Sequence, residues 1–157
     1  MELAKNSFKL KSVNKPDVST VLYTSVYYLI AAVLLFSGIV KILDPLPLLE
    51  TLKLITIVPE SLQIIIATLL PIVEIGLAVL MLLKIKSKIT LIAVTGLFAS
   101  FLAFSIYGMA VGFGGDCGCF GDVLKSDFGF WMILRNTIFL LLSFQIIWYK
   151  FKIIIIV

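Results

Sequence analysis

The stretch SLQIIIATLLPIVEIGLAVLMLL, residues 61–83, decides the fold of this chain. It carries one charged residue, Glu74, and a helix of about 20 apolar residues is enough to cross about 30 Å of hydrocarbon. Three further charge-poor stretches of similar length lie at residues 21–43, 89–113 and 129–149. Of the 157 residues, 61% are hydrophobic and 14% are charged, against about a quarter charged in a soluble domain. The sequence therefore predicts an all-α integral membrane protein, a bundle of four spanning helices.

The chain divides into a short polar leader, residues 1–17, and one membrane domain, residues 18–157. The first apolar stretch is long and lacks a small-residue cleavage site, so we interpret it as a retained helix, with a cleaved signal peptide as the alternative. Between the first two spans Pro45, Pro47 and Pro59 interrupt helical structure. The segment between them, residues 48–58, is too short to cross and is predicted to lie along the outer surface.

The positions of the lysines predict the orientation in the bilayer. Cytoplasmic segments of membrane proteins carry an excess of Lys and Arg. The lysines cluster in the leader, between the second and third spans, and in the tail, at Lys5, Lys9, Lys11, Lys15, Lys84, Lys86, Lys88, Lys150 and Lys152. Both termini are therefore expected to be cytoplasmic, in a bacterial-type inner membrane. We expect the net charge of +4 to attract anionic lipid headgroups, and we expect no nucleic-acid partner.

The stretch GFGGDCGCFGD, residues 112–122, contains the only two thiols of the chain, Cys117 and Cys119. The predicted orientation places this loop outside the cytoplasm, where disulfides persist. Gly118 lets the chain bend enough for the two sulfurs to bond, and so small a ring should exchange readily. We interpret the pair as a redox dithiol; a bridge that only pins the loop is the alternative. Zinc needs about four ligands, and the chain has no histidine, so no metal site is predicted, although two thiolates can hold a soft ion such as Cu(I).

Two ionisable residues lie inside predicted spans. An ionised carboxylate in the hydrocarbon is costly, so Glu74 is expected to be protonated, paired or facing a polar cavity. It either relays protons to a quinone or bonds a backbone carbonyl freed by Pro71. Arg135 either extends to the surface, pairs with Glu74, touches the cysteine loop or binds an anionic headgroup. Lys41, near the outer end of the first span, is predicted to extend to the surface.

Four stretches resemble the MauE branch of the DoxX-like membrane proteins. They are FSGIVKILDP (36–45), LPIVEIGLAVLML (70–82), CGCFG (117–121) and the pair Arg135–Asn136. The resemblance implies a four-helix bundle that assists thiol chemistry outside the cytoplasm, as in methylamine utilisation. It adds Phe120, Gly121 and Asn136 to the supporting residues of the dithiol. It also implies a thioredoxin-like or disulfide-containing extracytoplasmic partner.

Small quinone-linked disulfide generators are also helical bundles, but they use two cysteine pairs. This chain has one pair. Either the same dithiol both reacts with the partner and passes the electrons on, or a separate protein or cofactor carries out the second of these steps. A quinone is therefore one candidate cofactor, and none is certain. Three functions stay open: a component of thiol–disulfide exchange, a soft-metal or small-solute transporter, and a non-catalytic membrane scaffold. The direction of electron flow stays open as well.

Overall fold

The computed structural model describes residues 18–55, 59–112 and 130–156, and all regular structure within them is helical. It contains five helices: α1 Val18–Leu43, α2 Leu46–Lys53, α3 Glu60–Leu82, α4 Ser87–Val111 and α5 Phe130–Ile156. Helices α1, α3, α4 and α5 are long and apolar enough to cross a membrane. The prediction of four spans is confirmed, with helix ends that differ from the predicted ones by up to three residues for the first three spans.

Two prolines lie where α1 ends and the short helix α2 begins. Pro45 is its N-cap residue and Pro47 lies in its first turn, where a missing backbone N–H costs no helical hydrogen bond. Its buried residues Leu48 and Leu52 pack with Ala67 of α3. The predicted surface segment is therefore a helix, but it begins two residues earlier than expected. Residues 56–58 of that segment lie outside the described part of the chain.

The four long helices form a closed ring. Helix α1 packs most extensively on α3 and α4 on α5, while contacts of α1 with α5 and of α3 with α4 complete the bundle. The core includes fully buried residues from three helices, among them Ile30, Leu34, Met81 and Val94. Ile146 adds a contribution from α5.

Alternating helix directions give the bundle two distinct ends. We call one the cysteine end: α1 and α4 finish there, α3 and α5 begin there, and the segment joining α4 to α5 carries Cys117 and Cys119. The other is the lysine end, where α3 and α5 finish and α1 and α4 begin. Contacts at the lysine end confirm the pairing of these termini, because the Tyr27 hydroxyl of α1 donates to the Met81 carbonyl of α3 at 2.7 Å. The rings of Tyr23 in α1 and Tyr149 in α5 have centroids 5.0 Å apart, so the beginning of α1 and the end of α5 share this end of the bundle.

Candidate functional site

A glycine sets the distance between α1 and α3. A Cβ atom placed on Gly38 would lie 2.6 Å from Cγ1 of Ile75 and 3.0 Å from the carbonyl oxygen of Pro71. It would also lie 3.3 Å from Cβ of Glu74. Any side chain at residue 38 would therefore push α3 away. This close approach places the α1 side chains next to Gly38 within reach of Glu74.

A buried ion pair joins the two helices at that point. The Nζ atom of Lys41 lies 2.5 Å from Oε1 of Glu74, and the two side chains are 1% and 0% exposed. Ser37 closes a triangle, since its hydroxyl donates to Oε2 of Glu74 at 3.2 Å and accepts from Lys41 Nζ at 2.8 Å. A buried charge is tolerated when it is paired and hydrogen-bonded. Here both charges meet that condition.

The prediction that Lys41 extends to the surface is wrong. Its side chain turns inward and pairs with the carboxylate of Glu74. A buried carboxylate needs a cation beside it, and Lys41 is that cation. Of the expectations for Glu74, the structure shows the paired one. The carboxylate accepts hydrogen bonds from Lys41 and Ser37. The alternative role of Glu74, proton relay to a quinone, stays a prediction.

A second polar pair lies on α4 and α5. The side-chain amide of Asn136 donates to the Ser105 hydroxyl at 2.6 Å, and both residues are buried. The Ser105 hydroxyl in turn donates to the carbonyl of Phe101 at 2.7 Å. Asn136, predicted as a supporting residue from the family resemblance, thus fixes α5 against α4.

The two polar groups face a common small cavity. Its volume is about 10 Å³, and its lining includes Ser37 and Lys41 from α1 and Asn136 from α5. That volume is close to the minimum for one water molecule. The ring of Phe101 closes one side, with its centroid 5.0 Å from Lys41 Nζ, as in a cation–π contact. We call the set Ser37, Lys41, Glu74, Ser105 and Asn136 the polar cluster.

Arg135 is not the partner of Glu74 in the structure. It lies half-buried on α5, one residue before Asn136, and the ion pair that Glu74 forms is with Lys41. The other expectations for Arg135, a contact with the cysteine loop or with a lipid headgroup, stay predictions.

The predicted dithiol and its neighbours, Cys117, Gly118, Cys119, Phe120 and Gly121, lie outside the described residues. The chain leaves α4 at Val111 and re-enters the bundle at Phe130. Ser105 and Asn136 are each six residues from these points, about 9 Å at 1.5 Å per helical residue. Ser105 and Asn136 of the polar cluster therefore lie about 9 Å along their helices from the two attachment points of the cysteine segment. Within the described ranges, no group of three or more His, Cys, Asp or Glu residues could hold a metal ion.

Sequence reasoning missed Ser37, the inward orientation of the Lys41 side chain, and Ser105. A signal for the first two was present. Both lie in FSGIVKILDP (36–45), and the buried carboxylate of Glu74 required a donor or cation from another helix.

The polar cluster contains groups that can carry protons, and its hydrogen bonds hold neighbouring helices together. Lys41 of α1 donates hydrogen bonds to the Ser37 hydroxyl and to the Glu74 carboxylate of α3, and Asn136 of α5 donates one to Ser105 of α4. All four long helices thus meet at one level of the bundle, through polar contacts or through the cavity wall.

Comparison with known proteins gives one result. The family model for methylamine utilisation protein MauE matches residues 19–149, which is most of the chain. No curated protein and no solved structure matches it. The matched range contains the four apolar helices, the polar cluster and the two cysteines. Its four apolar helices are those of an integral membrane protein, and the chain belongs to the MauE family, whose model is described as methylamine utilisation protein MauE.

Proposed function

We propose that this MauE-family protein is the membrane component of an extracytoplasmic thiol–disulfide exchange system, and that Cys117 and Cys119 form its reacting dithiol. One observation carries the proposal: the only two thiols of the chain are one glycine apart, in the segment that joins α4 to α5. The lysine distribution supports an outward-facing cysteine end in an inner membrane. An oxidising compartment is where such a pair can cycle.

The proposed reaction balances without a further reagent. A thiolate of the partner attacks one sulfur of the Cys117–Cys119 bridge, forming a mixed disulfide and releasing the other cysteine as a thiolate that takes up a proton. The second thiol of the partner then attacks the mixed disulfide. The partner ends with a disulfide, and the chain ends with two thiols that hold the two electrons and two protons. The reverse sequence reduces the partner.

Returning the dithiol to its starting state requires a second acceptor or donor. With one pair of cysteines, that second protein or a quinone must act on the same two sulfurs. We propose a thioredoxin-like or disulfide-containing protein as the first partner.

The polar cluster supports this proposal by fixing the platform of the cysteine segment. Lys41 and Glu74 hold α1 to α3, and Asn136 with Ser105 holds α5 to α4. A reacting group held on rigid elements keeps its geometry better than one on mobile elements. The segment between residues 112 and 130 therefore starts and ends on helices whose relative positions are locked.

Trapping of a mixed disulfide tests the proposal. In Cys119→Ser, and separately in Cys117→Ser, one cysteine remains to bond the partner while the other is missing. We expect at least one of these variants to accumulate a covalent adduct that a reductant releases, measured by mass spectrometry of acid-quenched membranes.

The matched control carries its thiol at the other end of the bundle. Ser19→Cys in a chain lacking both native cysteines places an exposed thiol at the start of α1, at the lysine end. No adduct is expected there. If neither single-cysteine variant forms an adduct, or if the Ser19→Cys chain forms the same one, the exchange proposal fails.

A further inference from the structure

A cavity of about 170 Å³ lies at the lysine end, far from the polar cluster. Three structural elements line it: α1, the turn between α3 and α4, and the last turns of α5. The lining residues are Tyr23, Thr24, Tyr27, Tyr28, Lys84 and Lys150. The cavity therefore combines two cations with a wall of tyrosines.

The turn that carries Lys84 is tied to the tyrosine wall. The Met81 carbonyl accepts hydrogen bonds from the Tyr27 hydroxyl at 2.7 Å and from the Lys84 backbone N–H at 2.9 Å. Lys84 adopts a left-handed conformation with φ of 56°, which is uncommon for a residue with a side chain. Tyr27 is buried, so its hydroxyl fixes the turn from inside the bundle.

Ring contacts hold the wall in place. The rings of Tyr27 and Tyr28 meet edge to face with centroids 5.8 Å apart, and Tyr23 lies 5.0 Å from Tyr149 of α5. Such pairs restrict the side chains before any ligand binds. Tyr23 and Tyr28 both line the cavity, and a tyrosine hydroxyl can donate a hydrogen bond.

Among the residues that the structure describes, the charge around the cavity has one sign. The acidic side chains of the described residues are Asp44, Glu50, Glu60 and Glu74, and all of them belong to the polar cluster or lie beyond it at the cysteine end. At the lysine end, Lys84, Lys86, Lys88 and Lys150 are exposed or half-buried. An anion is therefore the ligand whose charge matches the cavity.

The position of the cavity selects the kind of anion. Lys84 follows the last turn of the apolar helix α3, and tyrosines at the ends of spans mark the membrane–water interface. Lipid phosphates lie at that level, and basic pockets between spanning helices bind anionic headgroups. We propose that this cavity binds the phosphate headgroup of an anionic phospholipid, with the ammonium groups of Lys84 and Lys150 neutralising the phosphate. The choline of a zwitterionic lipid is disfavoured because the lysines repel it.

Native mass spectrometry of the purified full-length chain tests this site, with phosphatidylglycerol, phosphatidylcholine and inorganic phosphate as probes. Lys84→Asn removes the charge while keeping a residue that tolerates the left-handed conformation. Lys150→Gln removes the second charge. Since each lysine near the membrane surface contributes roughly fivefold, we expect each single variant to bind phosphatidylglycerol about fivefold and the double variant about 30-fold more weakly.

Lys86→Asn is the matched control. Lys86 lies in the same turn, is exposed, has φ of 42° and loses the same charge, but it does not line the cavity. We expect Lys86→Asn to weaken binding of phosphatidylglycerol less than Lys84→Asn does, because the Lys86 side chain does not line the cavity. Equal weakening by Lys86→Asn, or equal binding of phosphatidylcholine and phosphatidylglycerol, would overturn the site. Saturation by inorganic phosphate with no lipid bound would overturn the lipid assignment.

Discussion

Replacing Glu74 by alanine is expected to lower the free energy of unfolding by about 3–5 kcal/mol, because it leaves the ammonium group of Lys41 buried without its carboxylate. Lys41 is 1% exposed, so water cannot replace the lost partner without rearrangement of α1. Lys41→Ala leaves the opposite charge in the same position and should cost a similar amount. Reversible unfolding of the purified protein in mixed micelles measures both changes.

Two control variants test whether the loss of stability comes from leaving one member of the Lys41–Glu74 ion pair buried without its partner. Lys41→Met combined with Glu74→Leu removes both charges at similar volume, and we expect it to be more stable than either single alanine variant, since apolar replacement of a whole buried pair is often neutral. Glu50→Ala removes an exposed carboxylate of α2 and should change stability by no more than about 0.5 kcal/mol. Single variants as stable as the Glu50→Ala chain would show that the pair is not buried as described.

Replacing Cys117 or Cys119 by serine is expected to reduce thiol–disulfide exchange with the partner to the level of membranes that lack the chain. A serine hydroxyl neither forms a disulfide nor provides a thiolate, so the proposed cycle stops at its first or second step. The measurement is the rate at which the partner gains or loses its disulfide in membranes with each variant.

A loss of thiol–disulfide exchange must be distinguished from a lower amount of folded protein in the membrane. Both variants should be present at wild-type levels and unfold at the wild-type midpoint, because closing a very short loop contributes little chain entropy. Normal exchange in both single variants would exclude the dithiol. Loss of exchange together with loss of the folded bundle would favour the scaffold function instead.

The spans could be predicted from the sequence because a helix in lipid needs little besides length and apolar composition. The stretch at residues 61–83 predicted α3 with an offset of one residue at each end. The fourth span, predicted at residues 129–149, agrees to within one residue with the apolar span Phe130–Lys150. The helix that contains it continues to Ile156, because no proline or glycine interrupts the tail.

The partner of Glu74 could not be predicted in the same way. A lysine two residues from the end of α1 can reach either the surface or the interior, and composition does not distinguish the two. The choice depends on the rotation and separation of α1 and α3, which Gly38 sets through its contact with Pro71. Such a contact joins residues 33 positions apart and becomes visible only once the helices are packed.

Differential thiol alkylation with mass spectrometry, on native membranes of wild type and of a strain lacking the candidate thioredoxin-like partner, tests the central claim most directly. The account predicts that Cys117 and Cys119 occur both bonded to each other and as free thiols, and that the ratio shifts when the partner is absent. A ratio fixed at one extreme in both strains and under every growth condition would contradict it.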